Sequence, residues 1–256
     1  MRKPEMILFD YGHTLLCEPE FDALRCEEAA FPYIVDNPRN LTAKQIYAEV
    51  RKLYERFQKE RDNGIEIHQW QFTRLIYEYL GLTFSVSYEE LEEIEWTAAS
   101  KGAVMPKTEE MLAYLKAEGI RTAVVSNIGW SGRALTRRIN RLLPNNQFEF
   151  IMASSEYVVR KPDRMLFETA LQKARLKAEQ VWYCGDSMKA DVIGAHGAGI
   201  YPVLYEGSAP YDVNPVIQEN HGMAAAFDYL HIHDWDELVG VLSAISSIDR
   251  VTLFRP

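Results

Sequence analysis

The chain of 256 residues is 47% apolar and 25% charged, enough to bury a substantial core, and its length suits one or two globular domains. Its 37 acidic residues outnumber its 28 basic ones, and the net charge of −9 repels phosphate backbones and anionic membrane surfaces. Nucleic-acid and membrane partners are therefore not expected. The one dense basic stretch, Arg133, Arg137, Arg138 and Arg141, has helical spacing and reads as a solvated helix face.

At the amino end the apolar run Met6–Phe9 stops at Asp10, too short for a signal-peptide core, and no segment approaches the ~18 apolar residues of a membrane span. The odd set Cys17, Cys26 and Cys184 argues for a reducing compartment, so a cytoplasmic protein is expected. Met6–Phe9 reads as a first strand, and more than a hundred residues then pass before the next, at 122–125. Most of that interval has helical periodicity. Residues 41–61 carry Ile46, Val50, Leu53, Tyr54 and Phe57 on one face, and 68–80 and 88–101 follow after breaks at Asp62-Asn63-Gly64 and Gly81. From Pro106 onward, apolar β-branched runs at 122–125, 150–153, 181–184 and 200–204 alternate with helical stretches at 107–118, 131–142, 163–175 and 188–197. An edge strand at 226–231 and a helix at 234–246, capped by Asp234, complete the chain.

Continuous apolar strands separated by helices predict an α/β fold with a doubly wound, Rossmann-like parallel sheet. The expected division is an α/β core of residues 1–16 and 106–256 and an inserted all-helical cap of residues 17–105. Insertions after a strand's carboxyl end overhang the place where such sheets bind ligands, which makes the insert a lid.

Four strand ends carry polar groups. Asp10 follows the first strand, a place for a nucleophile or a metal ligand. Ser126-Asn127 ends the second and can hydrogen-bond an anion. Lys161-Pro162-Asp163 precedes a helix, and the lysine could neutralise a phosphoryl group. Gly185-Asp186 and Asp191 offer two carboxylates that can converge on a hard cation such as Mg²⁺. Each group alone is ordinary; four on one sheet edge make an acid, a hydroxyl, a base and a metal site.

The ordered set Asp10-x-x-x-Thr14, Ser126, Lys161-Pro162 and Gly185-Asp186-x-x-x-x-Asp191 resembles the four motifs of the haloacid-dehalogenase-like hydrolase superfamily, and the helical insert resembles its C1-type cap. The resemblance implies a Mg²⁺-dependent phosphatase acting on a small phosphate ester through an aspartyl-phosphate on Asp10. Ser126, Asn127 and Lys161 would hold the phosphoryl oxygens, and Asp10, the Gly12 carbonyl, Asp186 and Asp191 would form the metal site. Thr14 would restrain the nucleophile loop.

One position departs from that pattern. Most phosphatases of the superfamily carry a second aspartate two residues after the nucleophile, and here that residue is Gly12. Glycine supplies a carbonyl but no proton, so general acid help worth roughly 10²–10⁴-fold must come from elsewhere, with neighbouring His13 the substitute. Two alternatives follow: a catalytically weak phosphate-binding or regulatory protein, and a metal-independent dehalogenase, against which the Asp186/Asp191 pair argues. In the cap, Tyr47, Tyr54, Phe72 and Tyr77 read as core, the break 61–66 as the loop that dips into the cleft, and Lys44, Lys52 and Lys59 as equal candidates for a Schiff-base lysine. His196, His221, His231 and His233 lack metal-ligand context.

Overall fold

The computed structural model describes residues 2–209, 213–223 and 225–253. Strand β1 (Met6–Phe9) has no exposed side chain. Ile7 and Phe9 pack into one cluster with Leu115, Leu135 and Trp235, while Met6 and Leu8 pack into another with Leu166, Phe167 and Ala195. With both faces covered, the strand needs an unbroken apolar sequence rather than alternation.

After β1 the chain leaves the sheet through β2 (Leu16–Cys17) and forms α1 (Leu24–Ala30), β3 (Ile34–Asp36), α2 (Ala43–Asp62), α3 (Gln69–Leu80), β4 (Thr83–Phe84), α4 (Tyr88–Ala99) and β5 (Ala103–Val104). Thr42 and Ser87 begin α2 and α4 with capping boxes, and Gly81 ends α3 in the left-handed conformation (φ 80°). The helices enclose their own cluster of Ile46, Ile76, Tyr77, Leu80 and Leu91. The interval is not all-helical: β2 pairs antiparallel with β5, and β3 with β4. The first ribbon brings the exit and return of the segment together. These two- and three-residue strands are too short to show periodicity in sequence.

The chain then runs through α5 (Thr108–Ala117), β6 (Arg121–Ser126), α6 (Gly132–Leu142), β7 (Ile151–Ala153), α7 (Arg164–Ala174) and β8 (Val181–Gly185). A π turn, Met188–Ile193, leads into α8 (Gly194–Gly197), followed by β9 (Tyr201–Tyr205), α9 (Val216–Asn220), β10 (Leu230–Ile232) and α10 (Trp235–Leu253). Among the described residues the main sheet has the order β10-β9-β8-β1-β6-β7, every pair parallel. This is the doubly wound α/β class that the sequence predicts. Among the same residues no helix is long and apolar enough to cross a membrane.

Of the four arginines of α6, Arg133, Arg137 and Arg141 lie on an exposed face as expected, but Arg138 does not. Arg133 and Arg137 pair with Glu89 and Glu93 of α4, and Arg138 is buried over Trp96. Arg138 Nε donates to the Tyr11 hydroxyl at 3.0 Å, and its Nη2 donates to Glu18 and to the Ser100 carbonyl. The guanidinium thus fastens the returning segment, the exit loop and α6 in one place. Arg138→Ala should strand the half-buried Glu18 carboxylate and cost about 3–5 kcal/mol, the usual result of removing one partner of a buried pair. Urea unfolding of that variant beside Arg141→Ala, whose side chain is exposed, checks the difference.

Candidate active site

Asp10 lies one step past β1 yet still belongs to the ladder, its N–H donating to the Cys184 carbonyl at 2.9 Å. Its carboxylate meets Lys161, whose ammonium donates to Asp10 Oδ1 at 2.8 Å, Asp191 Oδ1 at 2.6 Å and the Tyr183 hydroxyl at 2.6 Å. An ammonium has three N–H donors, and all three are used. The Lys161 and Asp191 side chains are 1% exposed and Asp10 12%, so of the three Asp10 is the one that reaches the cleft. Burial works to lower the Lys161 pKa, but the adjacent Asp10 and Asp191 carboxylates more than offset it and leave it raised.

Asn127 holds the lysine in place. Its Oδ1 accepts from the Lys161 N–H at 2.7 Å and its Nδ2 donates to the Lys161 carbonyl at 2.8 Å. The side chain expected to hold an anion is instead a clamp on the Lys161 backbone. Ser126 is buried at the end of β6. Thr14, expected to restrain the nucleophile loop, has a buried hydroxyl with no hydrogen-bond partner among the described residues. His13 is partly exposed, with its backbone in the left-handed region at φ 49°.

Asp186 follows β8 by one residue, and a carboxylate oxygen from each of Asp10, Asp186 and Asp191 lies within 4.8 Å of the others. Burial pushes the Asp186 carboxyl well above the ordinary carboxylate range, and Asp191 and Asp10 raise it further against the pull of Asn214 and Lys161. Burial likewise raises Asp191, opposed by Lys161. Three converging oxygen donors against one ammonium fit a hard divalent cation, which would relieve the excess negative charge. Gly185 is required here: a Cβ would stand 2.3 Å from the Asp191 carboxylate. A Cβ at Gly12, by contrast, would meet nothing within 4 Å.

Two supports escaped the sequence reading. Asn214 Nδ2 donates to Asp186 Oδ2 at 2.7 Å, and Asn220 bridges the turn by donating to the Asp186 carbonyl at 2.7 Å and accepting from the Met188 N–H at 2.7 Å. Asn214 lies in a loop and Asn220 ends the short helix α9, where no spacing marks either. Tyr183 also went unread, because a tyrosine inside an apolar strand looks like core.

A cavity of about 530 Å³ separates α1–α4 from the loop after β6, lined by Tyr47, Tyr54, Phe72, Tyr77 and Arg61 on one side and by Asn127–Trp130 on the other. The aromatics expected in the helical core thus also wall this cavity. Lys44, Lys52 and Lys59 are exposed on α2 and do not line it. The 61–66 break does reach the core, but mostly as a strap: Gly64 accepts from the Arg160 N–H, Ile65 bridges to Val159, and the fully buried Glu66 carboxylate takes Ser154, Arg61 and Arg160. His231 and His233, expected to lack ligand context, stand beside Glu206.

Residues 42–204 match the haloacid dehalogenase-like hydrolase family, and the chain belongs to that family of hydrolases. It is 26% identical over 199 residues, 77% of this chain and 84% of the relative, to a glyceraldehyde 3-phosphate phosphatase of Methanothermobacter thermautotrophicus. Over 213 residues, 80% of this chain and 86% of the relative, it is 22% identical to a ribulose-1,5-bisphosphate 5-phosphatase of Halopiger xanaduensis. Its fold resembles those of a HAD phosphatase from Thermococcus onnurineus (TM-score 0.54, 23% identity, covering 94% and 98% of the two chains) and a 2-haloacid dehalogenase from Pseudomonas syringae (TM-score 0.59, 18% identity, covering 95% and 99%).

At the cavity, Tyr77 Oη lies 2.8 Å from both Glu27 Oε2 and Glu95 Oε1. One phenol proton cannot serve two carboxylates, so one contact is made by a protonated carboxyl. Burial, against the hydrogen bond from Tyr77, pushes Glu27 up to about 7 and Glu95 well above its ordinary range. A raised carboxyl pKa stabilises the fold below the ordinary carboxyl range, and that stability is lost as pH rises through about 7. The melting temperature should therefore fall between about pH 5 and 8, and Glu27→Gln, which stays neutral, should flatten the fall. Thermal melts of both proteins across that range test it.

Proposed function

We propose that the chain is a divalent-metal-dependent phosphomonoester hydrolase acting on a small phosphorylated metabolite, with Asp10 as nucleophile. The observation that carries this reading is the meeting, at one sheet edge, of the Asp10, Asp186 and Asp191 carboxylates with the Lys161 ammonium. The phosphatases among its relatives support the same chemistry. The Asp186/Asp191 pair, suited to a hard cation, argues against a metal-independent dehalogenase.

In the proposed reaction an Asp10 oxygen attacks phosphorus as the bond from phosphorus to the ester oxygen breaks; that oxygen leaves as a phenolate or takes a proton from His13 or water, and water then hydrolyses the aspartyl-phosphate to phosphate and free Asp10. Splitting one hydrolysis into two displacements lowers each barrier. Lys161 neutralises charge on the phosphoryl oxygens, Ser126 donates a hydrogen bond to them, and Asn127 keeps Lys161 in line. Mg²⁺, held by Asp10, Asp186, the Gly12 carbonyl and Asp191, would supply electrostatic neutralisation that lets carboxylates and phosphate coexist. Residues 17–105 act as the cap, and the cavity beneath it receives the leaving group.

Phosphate release from a metabolite panel, with Mg²⁺ and with a chelator, tests the whole reading, and no release from any ester would favour the phosphate-binding alternative that Gly12 suggests. Asp10→Asn should lower turnover by at least ~10³-fold with the fold intact, because the near-isosteric amide is a poor nucleophile. Gly12→Asp has room for its Cβ and should raise turnover of alkyl phosphates toward that of aryl phosphates, by up to ~10²–10⁴-fold. If the wild type already cleaves both alike and His13→Ala slows only the alkyl ester, the proton comes from His13.

A further inference from the structure

The last two strands bring together a second set of ligand side chains. Glu206 follows β9 directly, His231 lies in β10 and His233 follows its end. The parallel register sets Leu204 beside His231 and Tyr205 beside Ile232, and the Glu206 N–H donates to the Ile232 carbonyl at 2.8 Å. Ile232 is core, so the histidines on either side of it turn to the opposite face, where Glu206 also lies. Glu206 Oε2 is 2.9 Å from His231 Nε2, the two imidazole centroids are 4.5 Å apart, and one donor atom from each residue lies within 4.8 Å of the other two.

We propose that Glu206, His231 and His233 bind a borderline divalent transition ion of the Zn²⁺ class at a site separate from the catalytic carboxylates. Two imidazole nitrogens and one carboxylate oxygen suit such an ion and disfavour Mg²⁺, which prefers oxygen ligands. Tetrahedral ligands at ~2.0–2.1 Å stand ~3.3 Å from one another, so the His231–Glu206 contact need open by only a few tenths of an ångström. The histidine side chains, 38% and 63% exposed, are free to swing inward and leave a coordination position for water. A hydrogen held between His231 Nε2 and Glu206 moves to Nδ1 or to solvent when the ion takes its place.

The surroundings suit a ligand rather than a chance surface pair. The Glu206 side chain is only 7% exposed, and its Oε1 accepts from Asn220 Nδ2 at 2.9 Å, an outer hydrogen bond that orients the carboxylate. That same nitrogen donates to the Asp186 carbonyl. The His233 Nδ1 lies 3.7 Å from a Glu237 carboxylate oxygen, which is available to steady the ring. Asn220 therefore connects this site to the turn that carries Asp186.

Calorimetric titration of the full chain with Zn²⁺ in excess Mg²⁺, after chelation, should give one bound zinc that Asp186→Asn retains. His231→Gln and His233→Gln should each weaken it at least ~10-fold, because loss of a ligand costs no less than loss of an outer-shell partner. Anomalous diffraction at the zinc edge should place the ion among the three side chains of the unaltered protein, whatever the variants do. Absence of binding, binding untouched by both histidine substitutions, or an anomalous peak only at Asp10 and Asp186 would overturn the proposal.

Discussion

The structure depends on one buried ammonium. Taking the Lys161 charge out of water costs several kcal/mol, and only a complete set of partners offsets it. Those partners come from separate parts of the chain: Asp10 from the end of β1, Asp191 from the π turn and Tyr183 from β8. Tyr183 in turn donates to the Val125 carbonyl of β6 at 2.6 Å, so the contact extends across the central strands. One ammonium answers only part of the charge of three carboxylates. Asp186 takes the remainder: burial raises its pKa, and the neighbouring Asp191 and Asp10 charges raise it further, at a place suited to a cation.

Around that centre the inserted helices are fixed by polar groups as well as by Trp96 of α4, which belongs to the core cluster beneath the sheet and stacks on Trp130. Glu92 of α4 accepts from both the N–H and the hydroxyl of Ser131, the residue that caps α6, and from the Trp70 indole. A carboxylate at the start of a helix gains from the helix dipole as well as from the hydrogen bonds. On the other side of the cavity, buried Glu66 ties the strap to Arg61, Ser154 and Arg160. Two glutamate anchors thus tie the inserted helices to the rest of the chain. Any opening of the helices must break charge-assisted hydrogen bonds at one anchor or bend about the β2/β5 ribbon, which holds only two residues on each strand.

How much of this could be read from sequence depended on whether a residue's role repeats along the chain. Strands buried on both faces announce themselves as unbroken apolar runs, and the matching expectations end within one or two residues of β1, β6, β7, β8 and β9. Asp10, Lys161, Asp186 and Asp191 were legible because each stands at a strand end or helix start. Arg138 was not: its helical spacing is that of its exposed neighbours, and only the docking of α4 onto α6 buries it. Asn127 was read for its chemistry and not for its partner, since a polar residue at a strand end serves an anion or a neighbouring loop equally well. His231 and His233 gain their meaning from Glu206, brought near by the pairing of β9 and β10, which the spacing of the histidines does not encode.

Gly12 shows how the electrostatic shortage bears on chemistry. A Cβ at this position would meet nothing within 4 Å, so the backbone's surroundings do not require glycine there. A carboxylate would nevertheless bring a fourth acid to a centre with one ammonium, and like charges at close range oppose one another's ionisation. Leaving it out lowers that repulsion but gives up proton transfer worth roughly 10²–10⁴-fold, about 3–5 kcal/mol of barrier. In the proposed reaction the loss falls unevenly. An aryl leaving group departs as a stable phenolate and needs little help, whereas an alkoxide needs a proton as the bond to phosphorus breaks. With no acid at residue 12, the acidity of the leaving group becomes a determinant of what the cleft turns over, beside the shape of the cavity that receives it.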